Sequence, residues 1–316
     1  MIGKMLSVTA SAALLLAALL CACGPAARAP GPTGTATAAP VLPSGVTFIP
    51  RPTATAGLEV YAEDPTGMTV ETRFPPPAGF ERVPVAEGSY AAWLRGLPLT
   101  AAGEPALLYD GSPKPGAVYA AVVDIDVGGR DLQQCADTVM RYRAEYLWHA
   151  GRADEIAFHF TSGFLCEWSR YRQGWRVRVD GNDVRWERTG RADDSRDAFR
   201  RYLDLVFNYA GTRSLEAYET EPVAPVDMRK GDLILRGGSP GHVVQVVDMA
   251  AAADGRKCFL LVQGYMPAQE GHILKSFEAD WMGPWYTLPA DAAGELRTPE
   301  YTFDWDDLRR FKAAGE

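Results

Sequence analysis

The sequence predicts an α+β fold in which a long helix packs on an antiparallel sheet, with a further β-rich region inserted between them. Apolar residues recur at helical spacing from Leu132 to about His149. Three apolar stretches between Met228 and Gln263 are separated by short turns rich in small residues, which is typical of consecutive antiparallel strands. Between these two regions, Ile156 to Glu187 alternates apolar and polar side chains and predicts two or three additional strands.

The elements before and within the insertion follow from local patterns. A short amphipathic helix is predicted near Ser89 to Arg95, and a buried strand from Ala117 to Val127, where β-branched and apolar residues dominate. Two glycines end that strand, and Asp131 is placed to cap the long helix. A second amphipathic helix is predicted from Ser195 to Ala210.

The strands after the insertion form a meander in this prediction. His242 starts the middle strand directly after a Gly/Pro turn, and Cys258 to Gln263 forms the next strand. Antiparallel pairing returns the end of that strand to the start of the middle one, so Gln263 should lie beside His242. The C-terminal portion is rich in Trp and Pro, and a short helix is predicted around Asp306 to Phe311.

Residues 1–22 have the pattern of a lipoprotein signal peptide. Lys4 precedes an apolar stretch from Ala10 to Leu20 that is too short to span a membrane. The following Leu20-Cys-Ala-Cys23 resembles the site read by lipoprotein signal peptidase, so Cys23 is the predicted lipidation site, with palmitate as a typical acyl group. The alternative is an ordinary secretory signal, cut near Ala22 or Ala27, with no lipid.

The region after this cut divides into a tether and one domain. Residues 23–56 are mostly Pro, Ala, Thr and Gly and predict a lipid-anchored flexible linker. Residues 57–316 predict a single domain with an insertion at about 151–225. We therefore expect a cell-envelope protein anchored to a membrane, at the periplasmic face of the outer membrane in a Gram-negative cell. With 32 Lys and Arg against 40 Asp and Glu, and no basic run, no nucleic-acid partner is predicted.

Cysteine counting isolates a candidate nucleophile. Of the five cysteines, Cys21 leaves with the signal peptide and Cys23 carries the lipid. Cys166 and Cys258 sit in predicted strands and are interpreted as structural residues that could form a disulfide in an oxidising compartment. Cys135 remains, in the first turn of the long helix, where free backbone N–H groups and the helix dipole favour a thiolate.

Cys135, His242 and Gln263 are the predicted catalytic residues. A nucleophilic cysteine needs a nearby imidazole as general base and a polar group that orients the imidazole. His242 and Gln263 fill these roles on neighbouring strands. Asp248 is predicted to share a strand face with His242 but lies about 20 Å along the strand, too far to act as the orienting group.

Two resemblances follow from the motifs around these residues. A helix-borne Gln134-Cys135, then Lys230-Gly-Asp-Leu-Ile-Leu235 and Gly241-His-Val-Val-Gln-Val-Val247, resembles the papain-like NlpC and CHAP cysteine amidase and peptidase superfamily. Asp131-Leu-Gln-Gln-Cys-Ala-Asp137, Arg143-Ala-Glu-Tyr-Leu147, Pro240-Gly-His242 and Gln263-Gly-Tyr-Met-Pro-Ala-Gln269 resemble the uncharacterised bacterial lipoprotein family known as domain of unknown function 4846. The first resemblance implies a papain-like fold and a hydrolase acting on peptidoglycan peptides, whereas the second implies no established activity.

The remaining functional expectations concern ligands. Gln134, Tyr265 and Trp285 are predicted to contact an extended peptide or other envelope substrate, with core packing as the alternative for the two aromatic side chains. No cofactor or metal is predicted, since no histidines have zinc-ligand spacing and the calcium-like run at Asp124 to Asp131 lacks a closing Glu. The alternative function is a catalytically inactive lipoprotein that binds a cell-wall component or a protein partner.

Overall fold

The structure, a computed structural model, describes residues 60–291 and 294–312. Antiparallel β-sheet dominates this part of the chain. The predicted signal peptide, the predicted lipidation site Cys23 and the predicted linker lie outside the described residues. None of the helices within the described ranges is both long enough and apolar enough to cross a membrane.

The strands fall into one large sheet and three hairpins. In chain order they are β1 Phe80–Arg82, β2 Tyr119–Val122, β3 Ala157–His159, β4 Leu165–Glu167, β5 Trp175–Asp180, β6 Asp183–Arg188, β7 Thr220–Pro222, β8 Leu233–Arg236, β9 His242–Ala252, β10 Lys257–Gln263, β11 His272–Leu274, β12 Tyr286–Leu288, β13 Glu295–Arg297, β14 Thr302–Asp304 and β15 Leu308–Phe311. The large sheet runs β2-β11-β10-β9-β8-β15-β7, with β1 also paired to β9 and β12 to β10. The pairs β3–β4, β5–β6 and β13–β14 form separate two-stranded sheets.

The helices are mostly short. The α-helices in the described residues are α1 Val70–Arg73, α2 Tyr90–Arg95, α3 Cys135–His149, α4 Trp168–Arg172, α5 Arg196–Tyr209 and α6 Thr212–Ser214. Single 3-10 turns occur at Ala153–Glu155, Pro225–Asp227, Asp280–Met282 and Trp305–Asp307, and a π turn at Leu215–Glu219. Both predicted amphipathic helices are confirmed as α2 and α5. Each begins after a serine, Ser89 or Ser195, whose side-chain oxygen accepts a hydrogen bond from the first turn.

Helix α3 is confirmed, but it begins three residues later than the pattern predicts. Its N-cap is Gln134, whose backbone N–H donates to the Asp137 carboxylate at 3.0 Å. Asp131, the predicted cap, instead accepts from the backbone N–H of Ala268 at 2.7 Å and so ties the helix start to a distant loop. Cys135 is therefore the first helical residue.

The predicted meander is confirmed as β8, β9 and β10. Its antiparallel register pairs Leu233 with Gln245 and Val262 with Gln245 on the two sides of β9. A bulge opposite Leu260 and Leu261 shifts the alternation of β9. As a result, Asp248 does not share the face of His242 as predicted; it is buried in ion pairs with Arg82 and Arg95.

The large sheet is covered on both faces. On one face, Leu233, Leu235 and Val243 pack with the inward sides of α3 and α5. On the other face, Ile234, Val244 and Val246 pack against the C-terminal segment, including Leu296, Phe303 and Trp305. The strands of the meander therefore read as continuous apolar runs, as sheets buried on both sides do.

The α+β, papain-like fold class predicted from the sequence is wrong. The described chain is mostly antiparallel sheet, with nine strands in the main sheet and few, short helices, and no helix packs on the sheet in the papain-like way. The predicted C-terminal helix is also wrong, since Leu308–Phe311 is strand β15, inserted between β7 and β8. The sheet is enlarged by strands of three or four residues, which are too short to show a period-two pattern.

Candidate functional site

A cleft of about 660 Å³ opens where the start of α3 approaches the start of β9. Its walls come from the first turn of α3, the end of α5, and the turn that precedes β9. Residues from the loop after β10 and from the segment before β14 complete it. Side chains with reactive or hydrogen-bonding groups on this surface include Asp131, Gln134, Cys135, Asp137, Thr212, Ser239, His242, Tyr265 and Tyr301.

Cys135 is a free, largely buried thiol that is 8% exposed. Burial, together with the nearby Asp137 carboxyl, raises the pKa of this thiol to about 11. Backbone hydrogen bonds of Ala136 and Cys135 at the helix start, and of Val243 on β9, lower the pKa of the thiol, but burial outweighs them. The resting state at neutral pH is therefore the thiol, whereas the sequence favoured a thiolate.

His242 is 2% exposed and keeps a neutral ring. Burial is the main cause that lowers the pKa of this imidazole, while the hydrogen bond to Gln263 and the charge of Glu300 oppose it. Three aromatic rings surround the imidazole, with centroids 5.1 Å away for Tyr265, 5.2 Å for Tyr301 and 5.8 Å for Phe303. These rings pack around the imidazole and limit its rotation.

The orientation of Gln263 fixes the tautomer of His242. The Gln263 Nε2 atom donates to Glu300 Oε2 at 2.5 Å and lies 3.2 Å from His272 Nε2. Both amide hydrogens are thus used, which leaves Gln263 Oε1 as an acceptor 2.9 Å from His242 Nε2. His242 must then carry its proton on Nε2, so its Nδ1 has a free lone pair and can act as a base.

His272 and Lys114 support this arrangement from outside the cleft. Burial lowers the pKa of His272 to about 3, so its ring is neutral, and Nδ1–H donates to the Glu270 carbonyl at 2.9 Å. His272 Nε2 is then free to accept from Gln263. Lys114, which is 7% exposed, donates to Glu300 Oε1 at 2.7 Å and balances that carboxylate. A continuous hydrogen-bonded chain therefore runs from Lys114 to His242.

The thiol and the imidazole border the same cleft without a direct hydrogen bond among the described residues. The Cys135 thiol lies beside Val243 and shares its core cluster. The imidazole of the preceding residue, His242, leaves the strand on the other face and contacts Phe303. The structure thus brings His242 and Gln263 into contact, and places Cys135 beside the same strand start.

Comparison with known proteins identifies a family but no activity. The family described as Domain of unknown function (4846) matches residues 70–310, about three quarters of the chain. The chain belongs to this family. No curated protein and no solved structure matches the chain. The matched range includes every residue of the candidate site named above.

The predicted substrate-binding residues are divided between the cleft and the core. Gln134 and Tyr265 line the cleft beside Cys135 and His242. Trp285 does not line it; its ring is fully buried in another part of the core, and its indole N–H donates to the Pro75 carbonyl at 3.1 Å. The Trp- and Pro-rich pattern around Trp285 therefore reflects packing.

The other predicted side chains behave as structural groups. Cys166 and Cys258 are free thiols with no exposed surface, and they belong to different core clusters, so no disulfide joins them. No group of three or more His, Cys, Asp or Glu side chains in residues 60–291 and 294–312 has the arrangement of a metal site.

Sequence reasoning missed Lys114, Glu300 and the role of His272. Lys114 and Glu300 lie in turns far apart in the chain, where no periodic pattern points to them. His272 could have been found, because β11 follows β10 after a short loop and pairs antiparallel with it, which sets His272 opposite Gln263. When a strand ends in a polar residue and another strand follows after a short loop, the first residues of that next strand are therefore candidates to bond the polar side chain.

Proposed function

We propose that this protein is an envelope lipoprotein that uses Cys135 to hydrolyse an amide bond in peptidoglycan peptides. The observation that supports the proposal is the 2.9 Å contact between His242 Nε2 and Gln263 Oε1, which leaves the Nδ1 lone pair free on an imidazole whose residue lines the same cleft as Cys135. A protonated thiol needs such a base before it can attack.

The reaction assigns one role to each side chain. His242 Nδ1 accepts the thiol proton as the Cys135 sulfur attacks the amide carbonyl and a tetrahedral intermediate forms. The protonated imidazole then gives that proton to the leaving amine, and the C–N bond breaks to leave a thioester on Cys135. Water, deprotonated by the same imidazole, hydrolyses the thioester and restores the thiol. Gln263 keeps Nε2 of the imidazole engaged throughout.

The start of α3 supplies groups for the oxyanion of the intermediate. The backbone N–H of Cys135 belongs to the first turn, where N–H groups have no partner within the helix. The Gln134 side chain also lines the cleft, and its Nε2 donates one hydrogen to Asp131 Oδ1 at 3.1 Å, which leaves a second hydrogen for a ligand.

The substrate class rests on the predicted export signal and on the size of the cleft. A lipid on Cys23 and a linker over residues 23–56 would hold the domain within reach of wall polymer. A cleft of about 660 Å³ is within the ordinary range for a small ligand or a short peptide segment.

A sacculus digestion tests the proposal. Full-length protein in detergent is incubated with purified peptidoglycan sacculi, and released muropeptides are measured by chromatography. We expect Cys135→Ala and His242→Ala to reduce release by about 10³-fold or more. Cys258→Ala is the matched control, since Cys258 is an equally free and buried thiol away from the cleft. Equal activity of Cys135→Ala and Cys258→Ala would refute the proposal.

A binding protein without catalysis is the second candidate. Two observations favour it, namely the thiol pKa of about 11 and the lack of a hydrogen bond between Cys135 and His242 in the described residues. In that case sacculi would sediment the wild type and Cys135→Ala equally well, with no muropeptides released by either protein.

A further inference from the structure

A second cleft, of about 490 Å³, lies along the later turns of α3 and is separate from the cleft at Cys135. Arg141, Glu145 and His149 follow one face of the helix at intervals of four residues and line this cleft. Arg196 enters from α5, and Asp126 stands at the mouth with its side chain 77% exposed. The lining therefore combines buried and exposed charges of both signs.

Glu145 provides an acceptor with no donor. Its side chain is 5% exposed, and Oε1 accepts from Arg141 Nε and from Arg196 Nη2, both at 2.7 Å. The other oxygen, Oε2, is buried without a hydrogen-bond partner among the described residues. The imidazole of His149 lies near Oε2, with Nε2 3.8 Å away, but it is 64% exposed at the helix end and can move aside. A buried carboxylate oxygen without a donor is costly, so an incoming N–H group would be favoured there.

Arg141 has N–H donors that make only long contacts with acceptors. Its side chain is 6% exposed, yet only Nε makes a short hydrogen bond. Nη1 reaches Gln133 Oε1 at 3.4 Å, and Nη2 is 3.9 Å from the exposed Asp126 carboxylate. A guanidinium can hold a carboxylate through two parallel hydrogen bonds, and this one, with Arg196 beside it, retains that capacity.

Apart from the exposed Asp124, the rest of the cleft is apolar. Trp93, Leu97 and Ile125 line it next to these charged groups. The cleft thus offers an acceptor for a cation, donors for an anion and a surface for a hydrocarbon side chain. A volume of about 490 Å³ is within the usual range for small-molecule sites.

We propose that this second cleft binds an apolar α-amino acid through its ammonium and carboxylate groups. The ammonium group donates to Glu145 Oε2 in place of His149. The carboxylate accepts from Arg141 and Arg196, and the side chain lies against Trp93. This site is independent of any hydrolysis at Cys135.

Direct binding tests the site without turnover. Full-length Cys135→Ala protein in detergent is titrated calorimetrically with leucine, phenylalanine and alanine in both enantiomers, and with the N-acetyl and amide derivatives of each. We expect saturable binding of at least one free amino acid, and at least tenfold weaker binding of its blocked forms, about 1.4 kcal/mol for each lost group. No saturable binding by any free amino acid up to about 10 mM, or equal binding of blocked forms, overturns the proposal.

Two arginines on α5 give a matched pair of variants. Arg196 and Arg201 have similar exposure, at 51% and 54%, but Arg201 pairs with Asp193 outside the cleft. We expect Arg196→Ala to weaken binding of the free amino acid at least tenfold and Arg201→Ala to leave it unchanged. Equal effects of the two variants overturn the assignment. Binding is measured in a protein that lacks the nucleophile. A negative binding result therefore does not affect the conclusion from the sacculus digestion, and a negative digestion result does not affect the conclusion on binding.

Discussion

The two clefts along α3 bury polar groups in opposite ways. At Cys135 the thiol, the imidazole and Asp137 are held in their neutral forms, since burial raises the pKa values of Cys135 and Asp137 and lowers that of His242. At Glu145 the carboxylate stays charged, because hydrogen bonds and charges of Arg196 and Arg141 overcome burial and lower its pKa.

The two arrangements meet the requirements of two different tasks, the transfer of a proton and the binding of a charged ligand. Neutral groups linked by directed hydrogen bonds fix where each proton resides, which a general base requires. Paired charges with unused donors and acceptors can exchange partners with a charged ligand instead. The proposed hydrolysis requires the first arrangement, and the proposed amino-acid binding requires the second.

The largest expected effect concerns the thiol. With a pKa of about 11, native Cys135 should react with iodoacetamide about tenfold faster for each pH unit, or about 10³-fold between pH 7 and pH 10, because the thiolate is the reactive form. At pH 7 it should react slower than in urea, where the pKa returns to about 8.5. Peptide mass spectrometry of timed samples measures both. Rapid labelling of the native protein at pH 7 would contradict a neutral first cleft.

Gln263→Ala should reduce kcat/KM for muropeptide release by about 10²-fold, because His242 loses the acceptor that fixes its tautomer. Gln245→Ala is the control. Gln245 is equally buried on neighbouring β9, but its amide bonds to Tyr90 and the Gly231 carbonyl. A similar loss in both variants, accompanied by similar unfolding midpoints, would point to a general packing effect.

Asp137→Asn should change how stability depends on pH. Burial raises the pKa of Asp137 from 3.8 to about 8, and its Oδ1 has no hydrogen-bond partner among the described residues. The folded state keeps this proton up to about pH 8, whereas the unfolded chain releases it near pH 4. The contribution of protonated Asp137 to the free energy of unfolding is fully present below pH 4 and is lost as the pH rises to 8. Between pH 5 and pH 8 the free energy of unfolding should fall by at most about 4 kcal/mol for this reason.

Urea unfolding at pH 5 and pH 8 measures this effect. As the pH rises from 5 to 8, the unfolding free energy of Asp137→Asn should increase relative to that of the wild type. The amide oxygen of Asn can still accept from the backbone N–H of Gln134, so the helix cap is kept. A difference that does not depend on pH would show that Asp137 is ionised in the folded state.

The smallest expected effect concerns Lys114. Its charge lowers the pKa of His242, so Lys114→Met should raise that pKa and move the acidic limb of the kcat/KM profile upward by about half a pH unit. The sign follows because only the neutral imidazole acts as a base. Lys257→Met is the control, since the Lys257 ammonium bonds to the Val226 carbonyl away from the cleft. An NMR titration of His242 gives the same comparison without turnover, and an unchanged or lowered pKa would contradict it.

The sequence predicted those elements that have a repeating pattern of their own. Helices α2 and α5 carry serine caps and an apolar stripe, and the meander β8 to β10 has long apolar strands, so each could be located before the structure was known. The neighbouring positions of His242 and Gln263 followed from the same meander. Their contact depends only on strand order and direction.

What could not be predicted depends on contacts between distant segments. Strand β15 has four residues and joins the sheet because β7 and β8 offer unpaired edges, which no local pattern records. Glu300 reaches Gln263 from a turn 37 residues later in the chain. The neutral state of Cys135 also arises from tertiary burial, which overrides the favourable effect of the helix start.

The position of β15 has a consequence for the order of events during synthesis. This strand lies between β8 and β7 but is translated after all other strands of the sheet, and Glu300, which orders Gln263, is translated only shortly before it. A nascent chain from which residues 300–311 have not yet emerged therefore lacks both the strand that joins β8 to β7 and the carboxylate that orders Gln263. The hydrogen-bonded chain from Lys114 to His242 can form only after these residues have been synthesised.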